Sequence, residues 1–215
     1  MIKFFVPLAL ALLLWLVWRQ WAGRRRTAFI DQYPFAETLD QRLAARRPEL
    51  TAAQRSEVFA GLRDYFHLCR SAGRRMVAMP SQAVDDAWHE FILFTRRYDQ
   101  FCRGAFGRFL HHTPAEAMAS PTAAGDGIKR AWRLACARER INPKKPDRLP
   151  RLFALDGALL IAGGFVYQID CLAAGATGTG YCASHIGCSS GCSGDSGSAD
   201  GDGGSGDGGG GCGGD

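Results

Sequence analysis

The 215-residue sequence predicts a mainly α-helical domain with a small β-hairpin, preceded by one transmembrane helix and followed by a disordered tail. Three observations carry this. Apolar residues recur at spacings of three and four through much of residues 27–170, the period of one face of an α-helix. Phe4–Trp18 is fifteen residues without a charge. From Cys171 onward the composition changes abruptly: 17 of the 27 glycines and five of the eight cysteines lie there, with no Lys or Arg. The predicted boundaries are therefore an anchor and basic flank at 1–26, a globular domain at 27–170 and a low-complexity, cysteine-rich tail at 171–215.

The charge-free run reaches about twenty residues with its apolar flanks included, the lower limit for a helix crossing a bilayer. Trp15, Trp18 and Trp21 suit an interfacial belt, and Arg19, Arg24, Arg25 and Arg26 outnumber Lys3 on the other flank. The positive-inside rule then predicts a single-pass membrane protein with a cytoplasmic body. Export after signal-peptide cleavage is the alternative, although Gln20-Trp21-Ala22 makes a poor cleavage site.

Tyr33-Pro34 opens a helix through Leu39, Leu43 and Ala44 that closes at Arg47-Pro48. Thr51-Ala52-Ala53-Gln54 is a capping box, and Val58, Phe59, Leu62, Tyr65, Phe66 and Cys69 extend a second helix to Gly73. His67 falls off that apolar face and reads as a solvated residue. Ser81 caps a third helix, with Val84, Trp88, Phe91, Thr95, Tyr98 and Cys102 on its core face and an end near Arg103-Gly104. Thr113-Pro114-Ala115-Glu116 signals another helix start, stopped by Pro121. Ile128, Ala131, Trp132, Ala135 and Cys136 mark a further helix ending near Asn142-Pro143. Gly157, Gly163, Gly164 and Asp156 exclude a second spanning helix over 152–169. Leu159–Ile161 and Phe165–Tyr167 read as the hairpin.

Three of the five histidines lie between Pro80 and Pro114, where the chemistry concentrates. Asp85 and His89 stand one helical turn apart, so the carboxylate reaches the imidazole. His89 with one or both of His111 and His112 is a candidate site for a divalent metal such as zinc. Asp85 would orient the His89 ring, with Trp88 beside it, and Glu116 or Cys102 would complete the set. The alternative is a hydrogen-bonded core plug, because the spacing is not that of a zincin helix. No catalytic residue can be assigned from these spacings.

Pro80-Ser81, Val84-Asp85, Trp88-His89, Tyr98, Cys102, Phe106-Gly107 and His111-His112 resemble the recurring block of the glycine-rich domain-containing proteins. The resemblance covers roughly residues 55–190, and the Cys/Gly-rich end is similar to the tails of bacterial members. That family pattern often carries a second histidine two positions after the Trp-His pair, where this chain has Phe91. The resemblance implies a helical domain and brings no catalytic residues with it.

Net charge is +5, but its distribution is uneven. Residues 1–151 carry all 26 basic residues against 14 acidic ones, leaving +12, while seven aspartates leave −7 beyond. The arginines are scattered through helices without a groove-reading motif, which argues against nucleic acid and leaves a membrane surface and a protein partner as the expected contacts. Cys69, Cys102 and Cys136 fall on apolar helix faces and read as small core residues. The tail thiols Cys171, Cys182, Cys188, Cys192 and Cys212 show no zinc-ribbon spacing. The expected function is a non-enzymatic interaction or scaffold module, the alternative a metal-dependent hydrolytic enzyme centred on His89 and His111/His112.

Overall fold

The computed structural model describes residues 2–112, 121–169, 181–182 and 186, with side chains for all but 2–6, 9 and 121–124. In chain order the helices are α1 (Ile2–Gln32), α2 (Phe35–Arg46), α3 (Ala52–Ala72), α4 (Gln82–Leu93), α5 (Thr95–Phe106), α6 (Pro121–Glu139) and α7 (Arg151–Ala158). Strands β1 (Tyr167–Gln168) and β2 (Tyr181–Cys182) pair in parallel, Tyr167 opposite Tyr181.

Local chemistry explains where several helices begin and end. Thr51 Oγ1 accepts from the Gln54 amide at 3.3 Å while Gln54 Oε1 accepts from the Thr51 amide at 2.9 Å, the reciprocal cap expected for α3. Gly73 and Gly107 close α3 and α5 with φ of 66° and 70°, backbone conformations that side chains with a Cβ seldom adopt. Ser81 Oγ accepts from the Val84 amide and donates to Asp156 Oδ1 at 2.6 Å. The same buried carboxylate also receives the amides of Gln82 (2.6 Å), Ala83 (3.2 Å) and Phe165 (2.9 Å). Three of these four donors belong to the first turn of α4 or its cap, where unpaired amides favour an anion. Asp156 therefore ties α7 to the start of α4.

α3 sits at the centre, in contact with α1, α2, α4, α6 and α7. At Gly61 an added Cβ would lie 2.9 Å from Val84 Cγ2 and 3.2 Å from Leu155 Cδ2, so glycine permits the close approach of α4 and α7 to α3. Phe35, Phe66, Phe91, Tyr98 and Phe101 form a continuous aromatic core with ring centroids 4.8–6.4 Å apart.

Several expectations need correction. Among the described residues no helix is long and apolar enough to cross a membrane, which overturns the transmembrane, single-pass and cytoplasmic-body expectations together. The charge-free part of α1 runs from Phe4 to Trp18, fifteen residues. At 1.5 Å per residue that is about 22 Å, against a hydrocarbon core of about 30 Å. Arg19 and the arginines at 24–26 then continue in the same helix, whose far end docks on the domain through buried Ile30 and the Phe29–Phe101 ring contact.

The third predicted helix is two. Phe94 (φ −82°, ψ 58°) breaks it, so that α4 packs on α2 and α3 while α5 turns onto α1. No glycine or proline stands at the break; packing of Phe91, Tyr98 and Phe101 rings at 5.3 Å decides it, and Thr95 consequently faces solvent. The hairpin is absent. Leu152, Phe153 and Leu155 are buried in α7, and β1 pairs instead with a strand drawn from the predicted tail. His67 is buried rather than solvated, because α1 covers that side of α3 and Asp31 Oδ1 meets His67 Nε2 at 2.7 Å.

The short helix predicted over 115–120 lies outside the described residues, as does most of the tail. Cys69, Cys102 and Cys136 are free and buried as expected. Burial pushes the Cys69 thiol up to about 12 and that of Cys136 to about 11. Cys182 is disulfide-bonded, and its partner is none of those three.

Candidate metal centre

Helix α4 places Asp85 and His89 one turn apart on a flank of its buried face. Asp85 sits in the first turn, where the exposed amide ends of the helix stabilise a carboxylate. The third member, His112, comes from the irregular segment after α5. Its Nε2 lies 3.0 Å from Asp85 Oδ1, and an ionised carboxylate has no proton to give, so His112 is the donor.

His89 Nδ1 lies 3.4 Å from Asp85 Oδ2 but without the alignment of a hydrogen bond. This nitrogen is buried and has no hydrogen-bond partner. The His89 and His112 rings are 4.3 Å apart, and one ligand atom from each of Asp85, His89 and His112 falls within 4.8 Å of the other two. For bonds of about 2.1 Å, two ligand atoms of a tetrahedral ion stand roughly 3.4 Å apart, a spacing this cluster already approaches. Side-chain exposure is 38% for His89, 20% for Asp85 and 12% for His112, so the group is held by protein on one side and open on the other.

Trp88 is almost fully buried. Its indole meets the His112 ring edge to face at 4.4 Å, and its Nε1–H donates to the Tyr98 hydroxyl at 3.1 Å. Tyr98 in turn donates to the Leu110 carbonyl at 2.5 Å. Burial raises the Tyr98 pKa, keeping the phenol protonated as a donor.

Of the residues expected from sequence, Asp85, His89 and His112 converge. Asp85 faces both imidazoles directly rather than standing behind one of them. His111 does not join: it is exposed, with its ring against Phe109 at 4.9 Å. Glu116 and the tail thiols Cys171, Cys188, Cys192 and Cys212 lie outside the described residues. Cys102 is buried in the core, and burial raises its pKa, leaving a neutral thiol rather than a nucleophile.

Sequence reading missed the opposite flank of α4. Arg46 Nε meets Asp86 Oδ1 at 2.9 Å, Arg47 Nη2 meets Asp86 Oδ2 at 2.7 Å, and Arg42 holds Glu90. A cleft of 670 Å³ elsewhere is lined by Asp64, Arg138, Glu139, Arg148, Leu149 and Arg151. Its arginines are each engaged by Asp64 or Glu139.

No curated protein and no solved structure matches this chain. A family model does match, over residues 25–186, a span that includes the whole Asp85/His89/His112 group and both strands; the chain belongs to the UCP032817-like family.

Proposed function

We propose that the domain binds one divalent transition-metal ion through Asp85, His89 and His112 and uses it for metal-dependent, hydrolytic chemistry. The observation that carries this reading is the convergence of two imidazoles and a carboxylate around a buried, unpartnered His89 Nδ1. A buried polar atom left without a partner is costly, and an ion would satisfy it. Imidazole donors favour zinc and its neighbours over magnesium or calcium. Three protein ligands with an open side are the arrangement in which zinc keeps a position for water and lowers its pKa. Binding would require His112 to give up its Nε2–H bond to Asp85, so metal uptake would release a proton or shift the ring tautomer.

Metal content of the full-length chain, purified without a metal-binding tag, tests this against a His89→Ala/His112→Ala double variant. One equivalent of metal in the wild type, absent from the variant, is expected. A wild-type chain that stays metal-free during zinc titration would overturn the reading.

An interaction module is the second reading, favoured by the row of exposed Leu10, Leu13, Leu14, Trp15, Val17 and Trp18 on α1, more apolar surface than an isolated domain usually leaves uncovered. Affinity capture with a variant carrying Ser at Leu10, Leu14 and Val17 would test it; identical partners with and without those substitutions would count against it. Nucleic acid is not part of either proposal. Within the family, the Trp88-His89, Phe106-Gly107 and His111-His112 pairs and the glycine content of 171–215 support placing the chain near the glycine-rich domain-containing proteins.

A further inference from the structure

Two residues that would touch no metal are tied to the chain that delivers His112. Residues 107–112 have no regular structure, so nothing in their own backbone fixes where His112 falls. They are held from the side. Leu110, two residues before His112, gives its carbonyl to the Tyr98 hydroxyl at 2.5 Å. That hydroxyl is itself held by the Trp88 indole N–H at 3.1 Å, and the same indole packs against the His112 ring at 4.4 Å. Trp88 precedes His89 on α4, so one side chain connects the helix bearing two members of the group with the segment bearing the third. Tyr98 and Trp88 are only 1% and 3% exposed, which leaves water no access to replace these bonds.

We propose that Tyr98 is the positioning residue of the Asp85/His89/His112 centre: gripped between the Trp88 indole and the Leu110 carbonyl, it aims His112 at Asp85 and thereby sets the affinity and geometry with which the centre takes a divalent transition metal. The proposal rests on the metal-binding reading above. Its physical basis is preorganisation, since a ligand on an unsupported loop must be ordered at the moment of binding. Tyr98→Phe keeps the ring in the aromatic core but leaves the Leu110 carbonyl and the Trp88 N–H without their partner. Loss of such outer contacts around a metal site typically weakens binding by about 10- to 100-fold.

The test uses the full chain, stripped with chelator and titrated with zinc in competition with an indicator, and separately with cobalt(II), whose visible bands report coordination number. Wild type, Tyr98→Phe, Trp88→Phe and Asp85→Ala are compared. Tyr98→Phe is expected to bind zinc about 10- to 100-fold more weakly and to show weaker cobalt bands, as water replaces a loosened His112. Trp88→Phe retains the Tyr98–Leu110 bond but loses the indole contact to His112, and is expected to weaken zinc binding toward the lower end of the same range, about 10-fold. Asp85→Ala removes a ligand and should abolish binding. Wild-type zinc affinity and a wild-type cobalt spectrum in Tyr98→Phe would overturn the proposal. Should that variant fail to fold, an unchanged affinity and spectrum in Trp88→Phe would overturn it instead. A wild-type chain that binds neither ion refutes the metal reading itself, an outcome visible before any variant is compared.

Discussion

Asp85 and Asp86 are adjacent in the chain and begin the same helix, yet they meet opposite surroundings. Asp86 and, one turn on, Glu90 face Arg42 and Arg46 of α2 and Arg47 at its C-cap. Both carboxylates are buried and each is paired with arginine. Asp85, by contrast, faces the imidazoles of His89 and His112. An imidazole nitrogen is a potential metal ligand, and the buried His89 Nδ1 makes no hydrogen bond. Helix α4 thus differs across its width: arginine–carboxylate pairs tie one flank to α2 and its C-cap, while the other flank carries the Asp85/His89/His112 cluster.

The comparison can be broken most forcefully at the residue beneath both flanks. Asp156→Ala removes a carboxylate that accepts four hydrogen bonds, three of them at the start of α4, and should cost about 4 kcal/mol of unfolding free energy in urea, since each buried donor left unpaired costs about 1–3 kcal/mol. A loss below about 1 kcal/mol would show that α4 does not depend on this cap.

Asp86→Ala should cost about 3 kcal/mol by leaving Arg46 and Arg47 without their shared partner, a little less than a fully buried pair because Arg46 is half exposed. The folded variant should bind zinc as wild type does. A parallel loss of zinc affinity would erase the distinction between the flanks.

His89→Ala sharpens the contrast in the other direction. With Nδ1 unpartnered and the ring partly exposed, the metal-free variant should melt within about 0.5 kcal/mol of wild type. Zinc at a hundred times its Kd should stabilise wild type by about 2.7 kcal/mol and the variant not at all. A large penalty in the metal-free variant would instead identify His89 as a structural plug.

The smallest expected effect lies away from α4. Burial lowers the pKa of His67 below the ordinary imidazole value of 6.5, against the opposing hydrogen bond to the Asp31 carboxylate. Between the folded and unfolded values the unfolded chain binds more protons, so this contribution is complete above about pH 6.5 and is lost as pH falls through the lower folded value. Thermal melts from pH 7.5 to 5 should show the decline, and His67→Gln should flatten it.

Much of the scaffold is readable in one dimension because its causes are local. The Thr51–Gln54 box, the Ser81 cap and the spacings of Val58, Leu62 and Phe66 each act within one or two turns. The break at Phe94 is not readable, because nothing around it disfavours helix; the core on two sides of the break decides. The false hairpin has a similar origin: Leu159–Ile161 is a turn that closes α7, with the Ile161 amide on the Asp156 carbonyl at 2.9 Å, and Tyr167 pairs with Tyr181, a partner beyond the predicted domain boundary. Likewise the histidine doublet could not say which ring turns inward. Phe109 takes His111 and Trp88 takes His112.

What the sequence by itself determined is the helical character of the domain, the caps of α3 and α4 and the i, i+4 pairing of Asp85 with His89, since hydrogen bonds and periodicity over a few residues suffice for these. Tertiary structure alone decided that His112 rather than His111 completes the group, that His67 is buried against Asp31, and that Asp86 is locked while Asp85 stays open. Each of those depends on a side chain brought from 20 or more residues away, where geometry follows from packing of the whole core and not from local spacing.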